Sequence, residues 1–291
     1  MLDYQIVKNW DFGDKVQSYT FRDTILYALG LGIGTDPVDA TQLRFVFEKD
    51  LQVIPTMAAV LGSTGFWWKD PSTGVDWVKL VYSAQDLRIH RPLPIEGTVI
   101  GRNHVVSVTD RGVDKGAIVQ IRRELFEQSG NHLLAEVIQT SILRGDGGYS
   151  TLPGAQSDPA PTPLANLPDR APDLTFTYSV PAQSALIYRL SGDYNTLHAD
   201  PDVAARAGFK RPILHGLCTF GIAAYTAICL CCSGDGAALK RIAARFTAPV
   251  YPGEDLMFSI WKEGAKSFRL RAQVHRPEPL SVLDNGIIEV A

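Results

Sequence analysis

The chain has 291 residues, 45% hydrophobic and 20% charged, with a mean hydropathy near zero, which excludes a disulfide miniprotein, a polytopic membrane protein and wholesale disorder. Lys and Arg total 28 against 31 Asp and Glu, a net charge of −3, so no overall basic field marks a nucleic-acid partner. The four cysteines, Cys218, Cys229, Cys231 and Cys232, lie within fifteen residues of one another, which gives no long-range disulfide framework and points to a reducing compartment.

The opening MLDYQIVKNWDF has charges where a signal peptide needs an apolar core, and the closing GIIEVA has no peroxisomal tripeptide or lipidation box, so no targeting address is expected. VIPTMAAVLG (residues 53–62) reads as an apolar helix. IHRPLPIEGTV (89–99) is a proline turn, and the β-branched, alternating runs TVIGRNHVVSVTD (98–110), GAIVQIRRELFEQ (116–128) and LLAEVIQTSILR (133–144) then read as strands. From 146 to 172 six prolines, Pro153, Pro159, Pro161, Pro163, Pro168 and Pro172, mark an extended, semi-rigid linker. It divides the chain into 1–145 and 173–291.

The second half repeats the first. PILHGLCTFG (212–221) answers VIPTMAAVLG at an offset of 159, and RFTAPVYPGEDL (245–256) answers the proline turn, with Pro249 following Pro92 by 157. The runs 255–264, 266–276 and 281–290 again read as strands. Each half is therefore expected to be a helix followed by a meander of antiparallel strands that wraps it, an α+β double hot dog. ILHGLCTFGIAAYTAICLCC (213–232) is twenty residues with one histidine, the length of a membrane span, yet its glycines, threonines and His215 favour a buried helix. Cys229 and Cys232 form a CxxC inside that apolar run and read as small buried side chains.

YRLSGDYNTLHADPDVAARA (188–207) carries the chemistry. ALIYRL (185–190) reads as a short strand entering the turn Ser191-Gly192-Asp193, and Asp200-Pro201 as the N-cap and first residue of a helix. One tight loop thus holds Asp193, Asn195 and His198, a carboxylate and an imidazole able to face one small volume, as acid–base work on a water requires. Without more, Ser-Gly-Asp-x-Asn is also ordinary turn chemistry.

This stretch resembles the signature of the MaoC-like, type 2 enoyl-CoA hydratases. Tyr188, Gly192, Asp193, Asn195, Leu197, His198 and Ala204 fall in its pattern, and Thr196 stands where the family usually has proline. GFKRPILHGLCTFG, RPLP and RGDGGY extend the likeness over both halves, as in the two-domain, eukaryotic-type members. The resemblance implies reversible hydration of trans-2-enoyl-CoA to (3R)-3-hydroxyacyl-CoA without metal or other cofactor, in a homodimer of the bacterial cytoplasm or the peroxisome with no nucleic-acid or membrane partner. By position, Asp193 and His198 activate the water, Asn195 orients the loop and the Gly216 amide binds the thioester oxygen. The first half, lacking Gly-Asp-x-Asn…His, becomes the degenerate domain that houses the acyl chain.

Other readings stay open: a dehydratase acting on acyl-carrier-protein or short branched acyl thioesters, and a non-catalytic acyl-CoA binder. A thioesterase would need a carboxylate on the long helix, and residues 213–232 have none. Among the basic residues Arg206, Lys210, Arg211, Lys240, Arg241 and Arg245, Lys210 and Arg245 are the candidates for the phosphates of coenzyme A. Tyr82, Ser83, Ala84 and Gln85 stand where close relatives have His-Gly-Glu-Gln. Phe66, Trp67, Trp68 and Trp77 read as core or dimer contact before acyl-tunnel lining, and His215 as a structural residue bonded to local backbone.

Overall fold

The computed structural model describes residues 2–151 and 155–291; Pro153 of the expected linker lies outside them. The first half forms strands β1 (Lys15–Tyr19), β2 (Leu80–Ile89), β3 (Gly97–Asp110), β4 (Ala117–Glu127) and β5 (Leu133–Leu143). The second forms β6 (Leu174–Ser179), β7 (Leu239–Phe246), β8 (Asp255–Lys262), β9 (Ser267–His275) and β10 (Pro279–Val290). They make one antiparallel ten-stranded sheet in the order β1-β3-β4-β5-β2-β7-β10-β9-β8-β6. Counted outward from the centre, both halves place their second strand first, then the fifth, fourth, third and first. The duplication inferred from sequence is thus a repeat of topology.

The long alternating runs become strands within two residues of the expected ends, because one side chain in two faces the core: along β4, Ala117, Val119, Ile121, Arg123 and Leu125 are buried and their neighbours are not. The expected element order needs correction. Each half begins with an edge strand, β1 or β6, and adds a seam strand, β2 or β7, before the meander. The short edge strands show three consecutive exposed residues, with no alternation to read.

The helices are α1 (Tyr4–Lys8), α2 (Phe21–Leu31), α3 (Ala40–Val46), α4 (Ser184–Tyr188), α5 (Pro201–Arg206) and α6 (Gly216–Cys231). In α6 every residue from Cys218 to Ile228 is buried, so its larger apolar side chains each contribute about 1.5–3 kcal/mol. No helix among the described residues is long and apolar enough to cross a membrane. The thiols are free, and burial pushes Cys231 up to about 11 and Cys232 up to about 12.

Two expected elements differ. Residues 53–62 hold only a five-residue 3-10 turn, Pro55–Ala59. Its last carbonyls do not pass to a further helical turn, for the Arg123 guanidinium takes the carbonyls of Ala59 and Leu61 at 2.9 and 3.1 Å. ALIYRL is helical, not a strand: α4 is followed by a 3-10 turn Arg189–Ser191, because Ser184, Ala185 and Tyr188 pack as one helix face on α2. Gly30 of α2 lets that happen, since a Cβ there would lie 2.9 Å from the Tyr188 Cα.

The described residues of this segment, 146–151 and 155–172, hold one 3-10 turn, Tyr149–Thr151, are otherwise irregular, and are pinned to the sheet. Asp110 accepts from the Gly148 and Ser150 amides at 2.7 and 2.8 Å; Asp158 accepts from Lys8 Nζ and the Val108 amide, each at 2.8 Å. Farther on, Trp261 Nε1 donates to the Arg170 carbonyl at 2.8 Å. At the seam, β2 pairs with β7 from Ala84↔Arg245 to Arg88↔Arg241. Arg241 clamps Asp86 there with two bonds of 3.0 and 2.7 Å and reaches Glu289 at 2.8 Å. Two apolar clusters fill the concave side: one joins α6 to both halves, and a smaller one, around Trp68, Val108 and Tyr149, lies in the first half.

Candidate active site

The site forms where the loop after α4 meets the start of α6. Gly192, at φ +119°, takes a left-handed turn that most side chains resist, and the chain reverses into Asp193. Asn195 Oδ1 accepts from the Leu197 amide at 3.1 Å and so caps the 3-10 turn Thr196–His198. Asp193 Oδ1 accepts from the Asn195 amide at 3.2 Å. Asp200 and Pro201 are the N-cap and first residue of α5, as expected.

His198 is 8% exposed and fixed by one bond: its Nδ1 lies 2.8 Å from the Ile213 carbonyl. A carbonyl can only accept, so Nδ1 carries the hydrogen and Nε2 offers a lone pair. Burial lowers the pKa below the usual 6.5; the Ile213 bond and the Asp193 charge oppose this without reversing it. The ring is neutral at pH 7. His215, the N-cap of α6 and 1% exposed, stacks on His198 with ring centres 3.7 Å apart and donates from Nε2 to the Asp193 carbonyl at 3.2 Å. The bond goes to the backbone of the site loop, 22 residues away, and not to a group local in the chain as expected; its Nδ1 is buried without a partner among the described residues, and burial, then the neighbouring His198, depresses its pKa to about 4.

Side-chain donor atoms of Asp193, His198 and His215 lie within 4.8 Å of one another. With the imidazoles stacked at 27°, their in-plane lone pairs run side by side instead of converging on an ion, and one nitrogen of each is spent on a carbonyl. The arrangement suits a water held between Asp193 and His198 Nε2 better than a chelated metal. Gly216 is the first residue of α6 and exposed, so its N–H belongs to the unpaired first turn, at the positive end of the helix dipole. A Cβ at Gly216 would meet the Phe246 ring at 3.5 Å, an ordinary contact. The protein itself therefore leaves room for a side chain, and any demand for glycine comes from what binds outside.

Lys210 and Arg245 are both exposed and make no side-chain hydrogen bond or ion pair among the described residues. Lys210 stands three residues before Ile213, in the segment leading to Gly216; Arg245 precedes Phe246, whose ring lies beside Gly216, and strand alternation turns the Arg245 side chain to the opposite face of β7. Arg241 is committed to Asp86 and Glu289 and drops out of the phosphate candidates. Arg211 lies over the Tyr251 ring at 5.4 Å. Of the tryptophans, Trp68 is core at 1% exposure and Trp67 stacks on it at 4.0 Å, whereas Phe66 and Trp77 face solvent edge to face, with Lys69 over both rings.

Tyr82, which sequence assigned to the inactive half, belongs to this neighbourhood. A β-bulge between Tyr82 and Ala84 turns it to the inner face, opposite the buried Ser141. Its surface is 41% exposed, yet its surroundings and then the Asp193 charge push its phenol up to about 12. A side chain both accessible and closely surrounded lines a concavity. Sequence alternation could not have found it, because the bulge reverses the parity.

The comparisons agree with this geometry. Residues 17–145 match the model of the MFE-2 hydratase 2 N-terminal domain and 163–281 that of the MaoC like domain. The peroxisomal enoyl-CoA hydratase 2 of Arabidopsis thaliana is 38% identical over 260 residues, 86% of this chain and 84% of its own length. The 3-hydroxyacyl-thioester dehydratase Y of Mycobacterium tuberculosis is 39% identical over 279 residues, 93% of this chain and 92% of that one. The crystal structure of a MaoC-like dehydratase from Phytophthora capsici superposes with a TM-score of 0.85 at 30% identity, covering 100% of this chain and 99% of that one. With its duplicated strand order and its Gly-Asp-x-Asn…His loop, the chain belongs to the MaoC-like hydratase 2 family, hydro-lyases of double hot dog fold.

Proposed function

We propose that the protein adds water reversibly to trans-2-enoyl-CoA, giving (3R)-3-hydroxyacyl-CoA, in β-oxidation of fatty or sterol side chains. The handedness rests on the family alone. The observation that carries the reading is the neutral His198, with Nε2 free, set beside Asp193 at the exposed start of α6.

In this mechanism the thioester oxygen lies on the Gly216 N–H, and a water donates its hydrogens to Asp193 and His198 Nε2. The water oxygen bonds to the β-carbon as one of the two bases takes its proton. The C=C electron pair moves toward the thioester oxygen, where the amide and the helix dipole stabilise the enolate. The enolate then collapses and the α-carbon takes a proton from the protonated base, so the base returns to its starting state. Both groups enter as acceptors, which fits a neutral imidazole and an ionised carboxylate. Asn195 holds the loop, and Lys210 and Arg245 meet the coenzyme phosphates.

The first half, residues 1–145, accommodates the acyl chain without a second active site, and residues 146–172 connect it to the catalytic half, 173–291. The chain acts as a homodimer in the peroxisome or a bacterial cytoplasm. The Mycobacterium relative's name favours a second reading, the same chemistry run as dehydration of a 3-hydroxyacyl thioester. Loss of the enoyl absorbance of crotonyl-CoA and of a long-chain enoyl-CoA, followed by the chirality of the product, tests the assignment; no hydration of either would overturn it. Titration of Asp193→Asn with a long-chain acyl-CoA should give one site per chain.

A further inference from the structure

A polar band crosses the inner face of the first half. Asn103 of β3 lies opposite Arg123 of β4; one step along, Gln139 of β5 lies opposite Gln85 of β2, and one step further Ser141 lies opposite Tyr82. These six positions run diagonally over the sheet from its interior to the concavity beside Asp193. They separate the two apolar clusters, since on β4 Ile121 belongs to one and Leu125 to the other.

The band is incompletely paired. Arg123 is 6% exposed and uses three of its five N–H donors: Nη1 on Ala59 and Leu61, and Nε on the Asn103 Oδ1 at 3.0 Å. Its Nη2 has no partner, and no carboxylate pairs with it among the described residues. Gln85, 2% exposed, makes no side-chain hydrogen bond, and the Ser141 Oγ is buried without a partner. Buried cations are ordinarily paired and buried hydroxyls bonded, because a polar group taken from water loses hydrogen bonds that must be replaced; of these groups the Ser141 Oγ is the one fully sealed without a partner among the described residues. A structural role as cap on the Pro55–Ala59 turn and the residues after it explains two donors, and Asn103 a third, but not the remaining two nor the line of polar groups leading to them.

From this geometry we infer that the first half binds the far end of the acyl chain through Arg123, Gln85 and Ser141, and that this end carries a carboxylate. The inference rests on the enoyl-CoA reading above. A carboxylate supplies the missing counter-charge and acceptors for the free guanidinium hydrogens, in the paired geometry that Arg favours. Tyr82 stands at the mouth of the band, between the reacting end of the substrate and its tail.

The test compares trans-2-enoyl-CoAs of equal length, from six to sixteen carbons, ending in a methyl group or in a carboxylate. At one length or a narrow range, wild-type kcat/KM should favour the carboxylate by about 10-fold or more. Arg123→Met should bring the ratio to about one. Ser141→Val and Gln85→Leu break no hydrogen bond of the fold and should each lower the ratio severalfold, which keeps the inference testable if Arg123→Met does not fold. A wild-type ratio of one or less at every length overturns the inference and leaves the band to ordered water. A preference untouched by all three variants places the tail elsewhere and overturns it equally. Wild-type hydration of crotonyl-CoA is the separate control: with it, a flat ratio sinks only this inference, and without it the enoyl-CoA reading falls first.

Discussion

The two halves lay their strands down in one order and fill the hollow of the sheet differently. In the second half, sixteen residues of apolar helix run through it, and β9 adds Leu270, Ala272 and Val274, all fully buried, to the same core. In the first half a five-residue turn takes the helix's place, and β4 meets it with a buried arginine bonded to its carbonyls. A complete helix brings an open N-terminus and a dry core; a shortened one leaves space and polar groups on the same sheet face. Under the proposed function, one topology then serves as a half for chemistry and a half for holding a chain.

The sharpest way to break this division of labour is to disable one half. Asp193→Asn and His198→Ala should each lower kcat by about 10²–10⁴-fold with native circular dichroism, because each removes a proton acceptor from the site and leaves the sheet and α6 untouched. Residual turnover near wild type would mean that the first half, or another pair, catalyses. Next, Gly216→Val should cost about 10²-fold in kcat. Since a Cβ there makes only ordinary contact with Phe246, the melting temperature should hold, and an unchanged kcat with a stable protein would move the oxyanion site elsewhere.

The histidine pair sharpens the comparison through pH. His198 must be neutral to act as a base and its pKa lies below 6.5, so kcat/KM should fall only as pH drops below that value. An acidic limb above 6.5 in the pH profile would contradict the neutral buried ring. His215 bears on stability: its pKa is about 4 folded against 6.5 unfolded, so the unfolded state takes up the proton first. Its contribution is fully present above 6.5 and is lost as pH falls toward about 4. His215→Phe, which cannot titrate, should flatten that stretch of the melting-temperature curve.

The smallest effect concerns the loop that only the second half possesses. Thr196 is the first residue of its 3-10 turn and follows Asn195 at φ −57°, ψ 121°, a conformation compatible with a following proline. Its amide donates to no backbone carbonyl outside regular elements. Thr196→Pro should therefore stabilise by about 0.4–1 kcal/mol, read as a small rise in melting temperature; a fall would show that the loop depends on that amide.

How far the sequence was legible follows the same contrast. Runs such as 98–110 and 133–144 announced their strands because alternation reports a sheet with one face buried. The Gly-Asp-x-Asn…His loop was legible because its residues are contiguous and match a family pattern. ALIYRL was misread, since packing on α2, not its own periodicity, makes it helical. Tyr82 and Arg123 were missed for related reasons: a bulge turned one to the inner face, and the other pairs with carbonyls of a turn that periodicity took for a full helix.

The seam between β2 and β7 has a consequence for biosynthesis. Asp86 and Arg241 are 155 residues apart, so this pairing closes a long loop and forms late. Until residue 246 has left the ribosome, β2 has a strand on one side only, with a row of free amides and carbonyls on the other, the kind of edge that recruits other chains. The nascent first half is thus a provisional structure whose solubility depends on how soon its own second half arrives, and slowing translation between residues 145 and 246 should raise aggregation more than slowing it after β7 is complete.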